Sequence, residues 1–527
     1  MTRYVVGVDL GTSGPKVALV TTQGEVVDHD TEKVSLTLLP EGGAEQDPDE
    51  WWHAIVVSTR RVIDRNPEAA AQVAAVCMSS QWGGLVPVDT KGNHLHNAII
   101  WMDARGVEYA EELTSGGITI PGAGYNAWAL RHWISRTGGV PSRSGKDPVG
   151  QAQFLFHDRP DVYAATAYLL DVPEYLTMRA CGRAVAGYDT SALRWSTDNR
   201  DPSHVRWDPK LVKRSRLDMS KLPELVPPAS VVGTLLPEVA AELGLSTEVK
   251  VVAGTGDTTS AAIGAGAVAD YAGHLYIGTS AWLTAHVPYK RTDVLNGIAS
   301  LPAVVPDRYW IATVQEAAGK AIEWLIDNVV YPEDGMLEDG PRPADALERL
   351  NALAESAPPG SNGVLFAPWL NGERTPVDDP YVRGGWHNVS LSTTRADLAR
   401  ATFEGIALNV RWMKETVERF TRKEMPHGFS SLTFIGGGAK SPLWCQVLAD
   451  VLGCSINQAK DPVLANARGA GLIASVGIGD ITWDEIAGRV EIEEVFHPDP
   501  NRKDLYDRQF LRFREMYRKT RKLSLEK

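Results

Sequence analysis

The sequence predicts an α/β protein of two lobes facing each other across a cleft, on three observations. The chain has 527 residues, too many for one hydrophobic core, so two large domains are expected. One short phrase occurs in each half: Val8-Asp9-Leu10-Gly11-Thr12-Ser13-Gly14 near the N-terminus and Tyr276-Ile277-Gly278-Thr279-Ser280-Ala281 past the midpoint. Each copy joins two β-rich apolar runs. Its glycines let the backbone turn sharply, and its hydroxyls and amide N–H groups can wrap a phosphate. Each phrase is also followed by the same strand-rich opening. A pair of such turns, one per half, points to two lobes gripping a polyphosphate. The expected division is 1–268 for the first lobe and 269–527 for the second, which ends in a helical tail.

In the first lobe, Tyr4 to Leu10 and Lys16 to Thr21 read as strands, and Gln23-Gly24-Glu25 turns into a third, Val26 to Ser35. Asp47-Pro48 starts a helix that runs to about Asp64. A buried strand, Val73 to Ser79, follows. By their order, three antiparallel strands, a helix and a further strand resemble the opening of the ribonuclease-H-like fold, which actin-type ATPases and sugar kinases use. The segment from Asn126 to Leu245 is mixed and turn-rich and reads as decoration on this lobe. A strand from Val249 to Ala253 ends in Gly254-Thr255-Gly256-Asp257, and the small residues Ala261 to Ala267 begin a helix.

The second lobe repeats the meander with His274 to Ile277 and Trp282 to Pro288. Ala399, Phe403, Ile406, Val410 and Met413 form an apolar helical stripe. Leu432 to Ile435 is a strand, Gly436-Gly437-Gly438-Ala439-Lys440-Ser441 its turn, and Ser441-Pro442 the start of a helix buried through Trp444, Val447, Leu448 and Val451. From Asp504 a basic amphipathic helix places Tyr506, Phe510, Phe513 and Tyr517 on one side, to close the lobe.

Composition narrows the function. Hydrophobic residues make up 43% and charged residues 23%, ordinary for a globular protein. A formal charge of -13 disfavours general binding to nucleic acid, which needs a basic face. No apolar run approaches the ~20 residues of a membrane span. Asp9 ends the apolar stretch Tyr4 to Val8, so no signal peptide is expected. Cys77, Cys181, Cys445 and Cys454 lack metal-binding spacing and read as reduced thiols of a cytoplasmic protein without a structural metal.

Two carboxylates stand where chemistry is available. Asp9 ends a strand before a phosphate-type turn, where it can hold Mg²⁺ through water or simply cap the turn. Lys16, just past that turn, can reach a phosphate as a point charge. Asp257 ends another strand among Gly, Thr, Ser and Ala, which leave room for a ligand. It can take a hydroxyl proton in phosphoryl transfer, or cap the helix behind it. The Gly436-Gly437-Gly438 turn lets backbone approach a bulky group such as a nucleoside, or serves as a tight loop.

With these pieces in order, the chain resembles the FGGY family of carbohydrate kinases over nearly its whole length, and its xylulokinase members most. The resemblance rests on Asp9 to Gly14, Trp101-Met102-Asp103-Ala104-Arg105, Gly254 to Asp257, Gly278-Thr279-Ser280, Leu370-Asn371-Gly372-Glu373-Arg374-Thr375-Pro376, and Gly436 to Ser441. It implies two ribonuclease-H-like lobes around a cleft, ATP and Mg²⁺ as cofactors, a small sugar as partner and a homodimer. It also implies that Thr12, Ser13 and Lys16 contact ATP phosphates from one side and Gly278 and Thr279 from the other. Gly319 and Glu323 fall where the family contacts nucleotide, and Gly437, Gly438 and Ala439 would border the adenosine. Asp257 matches the catalytic base and Asp9 the metal-linked acid, both close to Mg²⁺. Gln81, Trp82, Gly83, Asp103 and Asp257 are the implied sugar contacts.

One departure matters. Xylulokinases usually carry Gln-Met-His-Gly at the sugar site, and this chain has Gln81-Trp82-Gly83-Gly84. An imidazole is lost and an indole gained, and loss of a polar contact can shift specificity by orders of magnitude. Glu174 stands where the family more often has Asp. The implied reaction is ATP-dependent phosphorylation of a ketopentose or related polyol at a terminal hydroxyl, D-xylulose first, with ribulose, another pentulose, erythritol or glycerol as alternatives. A nucleotide switch on the actin-like fold is the rival from another class. The Gly372-to-Pro376 string and the Trp101-to-Arg105 segment speak against it.

Overall fold

The computed structural model describes residues 2–120, 124–332, 334 and 342–523. Strand alternation builds the first sheet. Side chains in a strand point to opposite faces in turn, so Val6, Val8, Leu10, Val17 and Leu19 enter one core and Val5, Ala18 and Val20 another. Strands Tyr4–Gly11 and Gly14–Thr21 meet in a hairpin that pairs Gly11 with Gly14. Gly14 has φ 136°, and a Cβ there would lie 2.0 Å from the Glu32 carbonyl oxygen, so only glycine fits.

Among the described residues this sheet has six strands, in the order Val231–Thr234, Lys250–Gly256, Val73–Ser80, Tyr4–Gly11, Gly14–Thr21, Val26–Thr31. Val73–Ser80 pairs in parallel with both Tyr4–Gly11 and Lys250–Gly256, and Val231–Thr234 adds an antiparallel edge to Lys250–Gly256. The third strand stops at Thr31 rather than Ser35. The chain leaves the sheet there because the Val34 N–H bonds the Ser13 carbonyl, folding the segment over the hairpin tip.

The second sheet has eight strands among the described residues: Thr292–Asp293, Ile298–Pro302, Tyr309–Ala312, Ala281–Val287, Gly273–Ile277, Ser431–Ile435, Ser455–Ala459, Ile492–Phe496. Its centre repeats the first: an antiparallel meander, two parallel neighbours and an antiparallel edge.

Two helices lie between the sheets, and each serves the opposite lobe. Helix Ala465–Gly477 follows a strand of the second sheet, yet Ala467, Ala470, Leu472, Ile473 and Ala474 pack on Val5, Ala18, Val20, Ala75, Cys77 and Val252 of the first. Helix Asp257–Gly264 follows a strand of the first sheet, yet Ala261, with Ala265 and Ala267 just beyond, packs with Trp282, Ile435 and Ala459 of the second. This helix starts four residues before the expected Ala261, because Gly256 takes the cap position and the strand passes directly into the turn. The two helices touch backbone to backbone. A Cβ on Gly469 would lie 2.0 Å from the Ser260 carbonyl oxygen, and one on Gly264 only 1.7 Å from that of Ala465.

The 126–245 segment is mixed, with helices Ala127–Thr137, Pro148–Asp158, Pro160–Ala165 and Val172–Cys181 and short strands such as Tyr168–Leu170, Val185–Gly187 and Glu224–Val226. It also reaches the second lobe. Lys290 Nζ donates to the Ile134 carbonyl (2.6 Å), Thr292 Oγ1 to that of Gly138 (2.6 Å), and the Tyr309 hydroxyl to that of Asn199 (2.8 Å). Gly138 closes helix Ala127–Thr137 in the left-handed region, and Asp147 caps helix Pro148–Asp158. The Gly- and Ser-rich stretch between them thus forms two helix ends at a lobe-to-lobe contact. Helix Lys503–Thr520 buries Tyr506, Phe510, Phe513 and Tyr517 in the second core.

Candidate active site

Asp9 lies on the odd-numbered face of its strand, with Val5 and Gly7, and therefore points toward helix Ala465–Gly477. It is 4% exposed. Lys16 Nζ stands 3.5 Å from its Oδ2, and Asn466 Nδ2 on the first turn of that helix donates to Oδ1 at 3.4 Å. Asp257 opens helix Asp257–Gly264, where its Oδ1 accepts the Thr258 N–H at 2.8 Å. Burial, and then the negative charge of Asp9, push its carboxyl up to about 7. The Tyr276 hydroxyl is held above its ordinary range by burial and by these same two carboxylates. It also folds over Gly278, where a Cβ would meet it at 2.4 Å. Tyr276 thus lies in the field of the first lobe's two carboxylates and against the Gly278-Thr279-Ser280 turn of the second lobe.

On the first lobe, a polar chain ties together four residues that the sequence spreads over 90 positions. The Trp101 indole N–H donates to Thr12 Oγ1 (3.1 Å), Thr12 donates to Gln81 Oε1 (3.0 Å), and Gln81 Nε2 to Gln46 Oε1 (2.7 Å). The Thr12 hydroxyl is thus joined to the expected sugar contact Gln81, while Ser13 at the hairpin tip is exposed. Trp82 lies on Gly256, the residue before Asp257, at 3.2 Å from the position of a Cβ. Its N–H donates to the Thr190 carbonyl (3.1 Å), and its ring meets Trp310 of the second lobe at 5.7 Å. Gly83 has φ 86°. Its N–H and that of Gly84 donate to the Asp171 carboxylate (3.2 and 3.0 Å). The backbone here is left-handed, a conformation a side chain at position 83 would strain. Asp103 is wholly committed to protein groups: the Ala44 N–H on Oδ2 and the Arg105 N–H and guanidinium. Glu174 is likewise taken up by the Arg194 guanidinium (2.8 and 2.5 Å).

On the second lobe, the expected nucleotide residues gather around Ile277 to Thr279. The Gly319 N–H donates to the Gly278 carbonyl (2.8 Å) and that of Lys320 to Thr279 (3.1 Å), so the turn caps helix Gly319–Leu325. A Cβ on Gly438 would meet Ile277 at 3.0 Å, whereas Gly437 has open space. The Ala439 methyl, by contrast, is in the apolar core, and the exposed glycine of this loop is Gly437. Glu323 is exposed one turn along, beside Lys320 (3.7 Å). In the Gly372-to-Pro376 string, Glu373 is a buried organiser. It accepts the N–H groups of Glu316 and Arg374 (both 2.9 Å) and the Asn409 amide (2.7 Å). Burial pushes its carboxyl up to about 8.

Sequence reasoning missed Asn466, Tyr276, Asp171 and Asp189. Asn466 lacks any local motif, and Tyr276 opens the second copy of the repeated phrase, where an aromatic residue reads only as part of the apolar strand. Asp171 and Asp189 lie in the segment whose elements the pattern does not define.

Residues 4–264 match the N-terminal domain of the FGGY family of carbohydrate kinases and residues 273–478 its C-terminal domain. The chain belongs to this family and is a carbohydrate kinase. It is similar to a xylulose kinase of Staphylococcus epidermidis, at 30% identity over 99% of this chain and 98% of that protein. It is similar also to a gluconokinase of Bacillus subtilis, at 24% identity over 86% of this chain and 83% of that protein. The crystal structure of a xylulose kinase from Rhodospirillum rubrum superimposes with a TM-score of 0.80 at 25% identity, covering 98% of each chain.

Proposed function

We propose that the protein transfers the γ-phosphoryl group of ATP to a terminal hydroxyl of a ketopentose, with D-xylulose as the first candidate, and that Asp257 is the general base. The observation that carries the reading is the pairing of Asp257 with Asp9: burial and that neighbouring charge hold its carboxyl at about 7, where a base both exists in the ionised form and accepts protons well. The Asp257 carboxylate takes the proton of the acceptor hydroxyl as its oxygen attacks the γ-phosphorus, and the bond to the departing ADP oxygen breaks. Thr279, Gly278, Gly437 and Gly438 face the nucleotide from the second lobe. Lys16, Thr12 and Ser13 face it from the first, the Thr12 hydroxyl also orienting Gln81 toward the sugar. Asp9 and Asp257 form the hard oxygen donor set that suits Mg²⁺, which would offset phosphate charge when bound. Trp82, held on Gly256, is an apolar wall for the sugar beside the base. The four cysteines, all free thiols, fit a cytoplasmic place. Among the described residues no helix is long and apolar enough to cross a membrane.

Xylulose kinases among the relatives support the ketopentose, and a gluconokinase makes a sugar acid the reading to test against it. With ATP and Mg²⁺, a panel of pentuloses, polyols and aldonates is expected to give its highest kcat/KM with D-xylulose, and a higher value for gluconate would replace that substrate. Asp257→Ala should lose about 10²–10⁴-fold in sugar-dependent turnover while binding ATP nearly as the parent does. Near-parental turnover would remove Asp257 from the base role.

A further inference from the structure

Asp189 is 2% exposed and lies in the segment of the first lobe between strands Val73–Ser80 and Val231–Thr234. Its Oδ2 accepts the hydroxyl of Thr255 at 2.6 Å and faces that of Thr259 at 3.2 Å. The two hydroxyls are themselves 2.6 Å apart, and Thr259 also reaches the Gly256 carbonyl at 2.8 Å. Thr255 precedes Asp257 by two residues and Thr259 follows it by two. One carboxylate oxygen therefore grips the strand-to-helix turn on both sides of the base.

The grip itself is held in place. The Thr190 carbonyl receives the Trp82 indole, and the Thr190 hydroxyl bonds Glu174, which is locked by Arg194. A Cβ on Gly187 would lie 2.6 Å from Asp189 Oδ1, so that neighbour is glycine. A buried acid with this much organisation around it has a reason to be there beyond stability, since burying a carboxylate is costly.

We propose that Asp189 is a positioning residue for Asp257, fixing through the hydroxyls of Thr255 and Thr259 the turn from which the base meets the acceptor alcohol. The inference rests on the reading of Asp257 as general base. It does not make Asp189 a catalytic residue, since other residues stand between it and the reacting atoms.

The test compares Thr255→Val, which keeps the shape but removes the hydroxyl, with Thr255→Ser, which restores it. Asp189→Asn, which presents a donor where the acid presents an acceptor, is the third variant. Each is assayed as full-length enzyme with ATP, Mg²⁺ and the sugar that the parent turns over best, alongside its melting temperature. Thr255→Val and Asp189→Asn are expected to lower kcat by about 10- to 100-fold, the loss typical of a misplaced catalytic group, with KM for sugar and ATP unchanged. Thr255→Ser should recover most of the kcat lost in Thr255→Val. In an Asp257→Ala background, Thr255→Val should cost nothing further.

Parental kcat in both Thr255→Val and Asp189→Asn, with Asp257→Ala inactive, overturns the positioning role and leaves the base intact. Near-parental turnover in Asp257→Ala overturns the base reading instead. Thr255→Ser as slow as Thr255→Val shows that bulk and not the hydroxyl matters, and overturns the proposal. So does a loss confined to melting temperature or KM. If Asp189→Asn does not fold, the Val and Ser variants decide alone.

Discussion

Asp257 gains its reactivity and loses stability for the same reason. Its carboxyl is raised to about 7 from an ordinary 3.8, by burial and then by Asp9. The ionised form needed to accept a proton therefore fills as pH rises through that value, and kcat/KM should climb with an apparent midpoint near it. A flat profile from about pH 5 to 8 would contradict the assignment. Between those two pKa values the folded chain keeps a proton that the unfolded chain releases, so this group makes stability fall as pH rises across that window. Asp257→Asn, always neutral, should melt above the parent at about pH 8 and level with it at about pH 4. The carboxylates themselves were legible from the sequence, because each ends an apolar run beside glycines. Asn466 was not, because a polar residue opening a helix carries no mark of the strand it faces across 457 positions.

At the scale of elements, the strands and the long helices follow from local pattern. Alternation in residues 4–21 sets two opposed cores, and Ser441-Pro442 starts its helix as expected, with Ser441 Oγ accepting the Trp444 N–H at 3.1 Å. What the pattern did not carry was partner choice. Nothing local in Ala465–Gly477 tells that it covers the sheet of the other lobe. Its glycines do show the closeness of the contact once the partner is known. Arg468 shows the same: buried, it donates to the Gly264 carbonyl through Nε (3.0 Å) and Nη2 (2.7 Å), a cation at the negative end of helix Asp257–Gly264. Gly469→Ala should push the two helices apart, costing about 1–3 kcal/mol as overpacking does. Because Asp257 and Asn466 open those helices, the variant should lower kcat as well as melting temperature. Unchanged kinetics at a lower melting temperature would separate the helix contact from the site.

Among the described residues the lobes meet at the helix pair and at the contact of the 126–200 segment with Lys290, Thr292 and Tyr309, among other places. The Trp82–Trp310 contact lies at the second, next to Gly256, so the proposed sugar wall is also a bridge between the lobes. Tyr309→Phe, which frees the carbonyls of Asn199 and Arg200, should raise the sugar KM by about tenfold, as loss of a hydrogen bond allows, and leave ATP binding alone. An equal rise in both KM values would instead indicate general loosening. The crossing of helices between lobes also bears on how the chain is made. A ribosome completes the last strand of the first sheet, Lys250–Gly256, some two hundred residues before the helix that shields its inner face, leaving Val5, Ala18, Val20 and Cys77 of the nascent chain waiting for a cover. The early half should therefore need a chaperone until translation passes Gly477, and a fragment ending at residue 268 should aggregate when expressed alone yet recover when the remainder is supplied in trans.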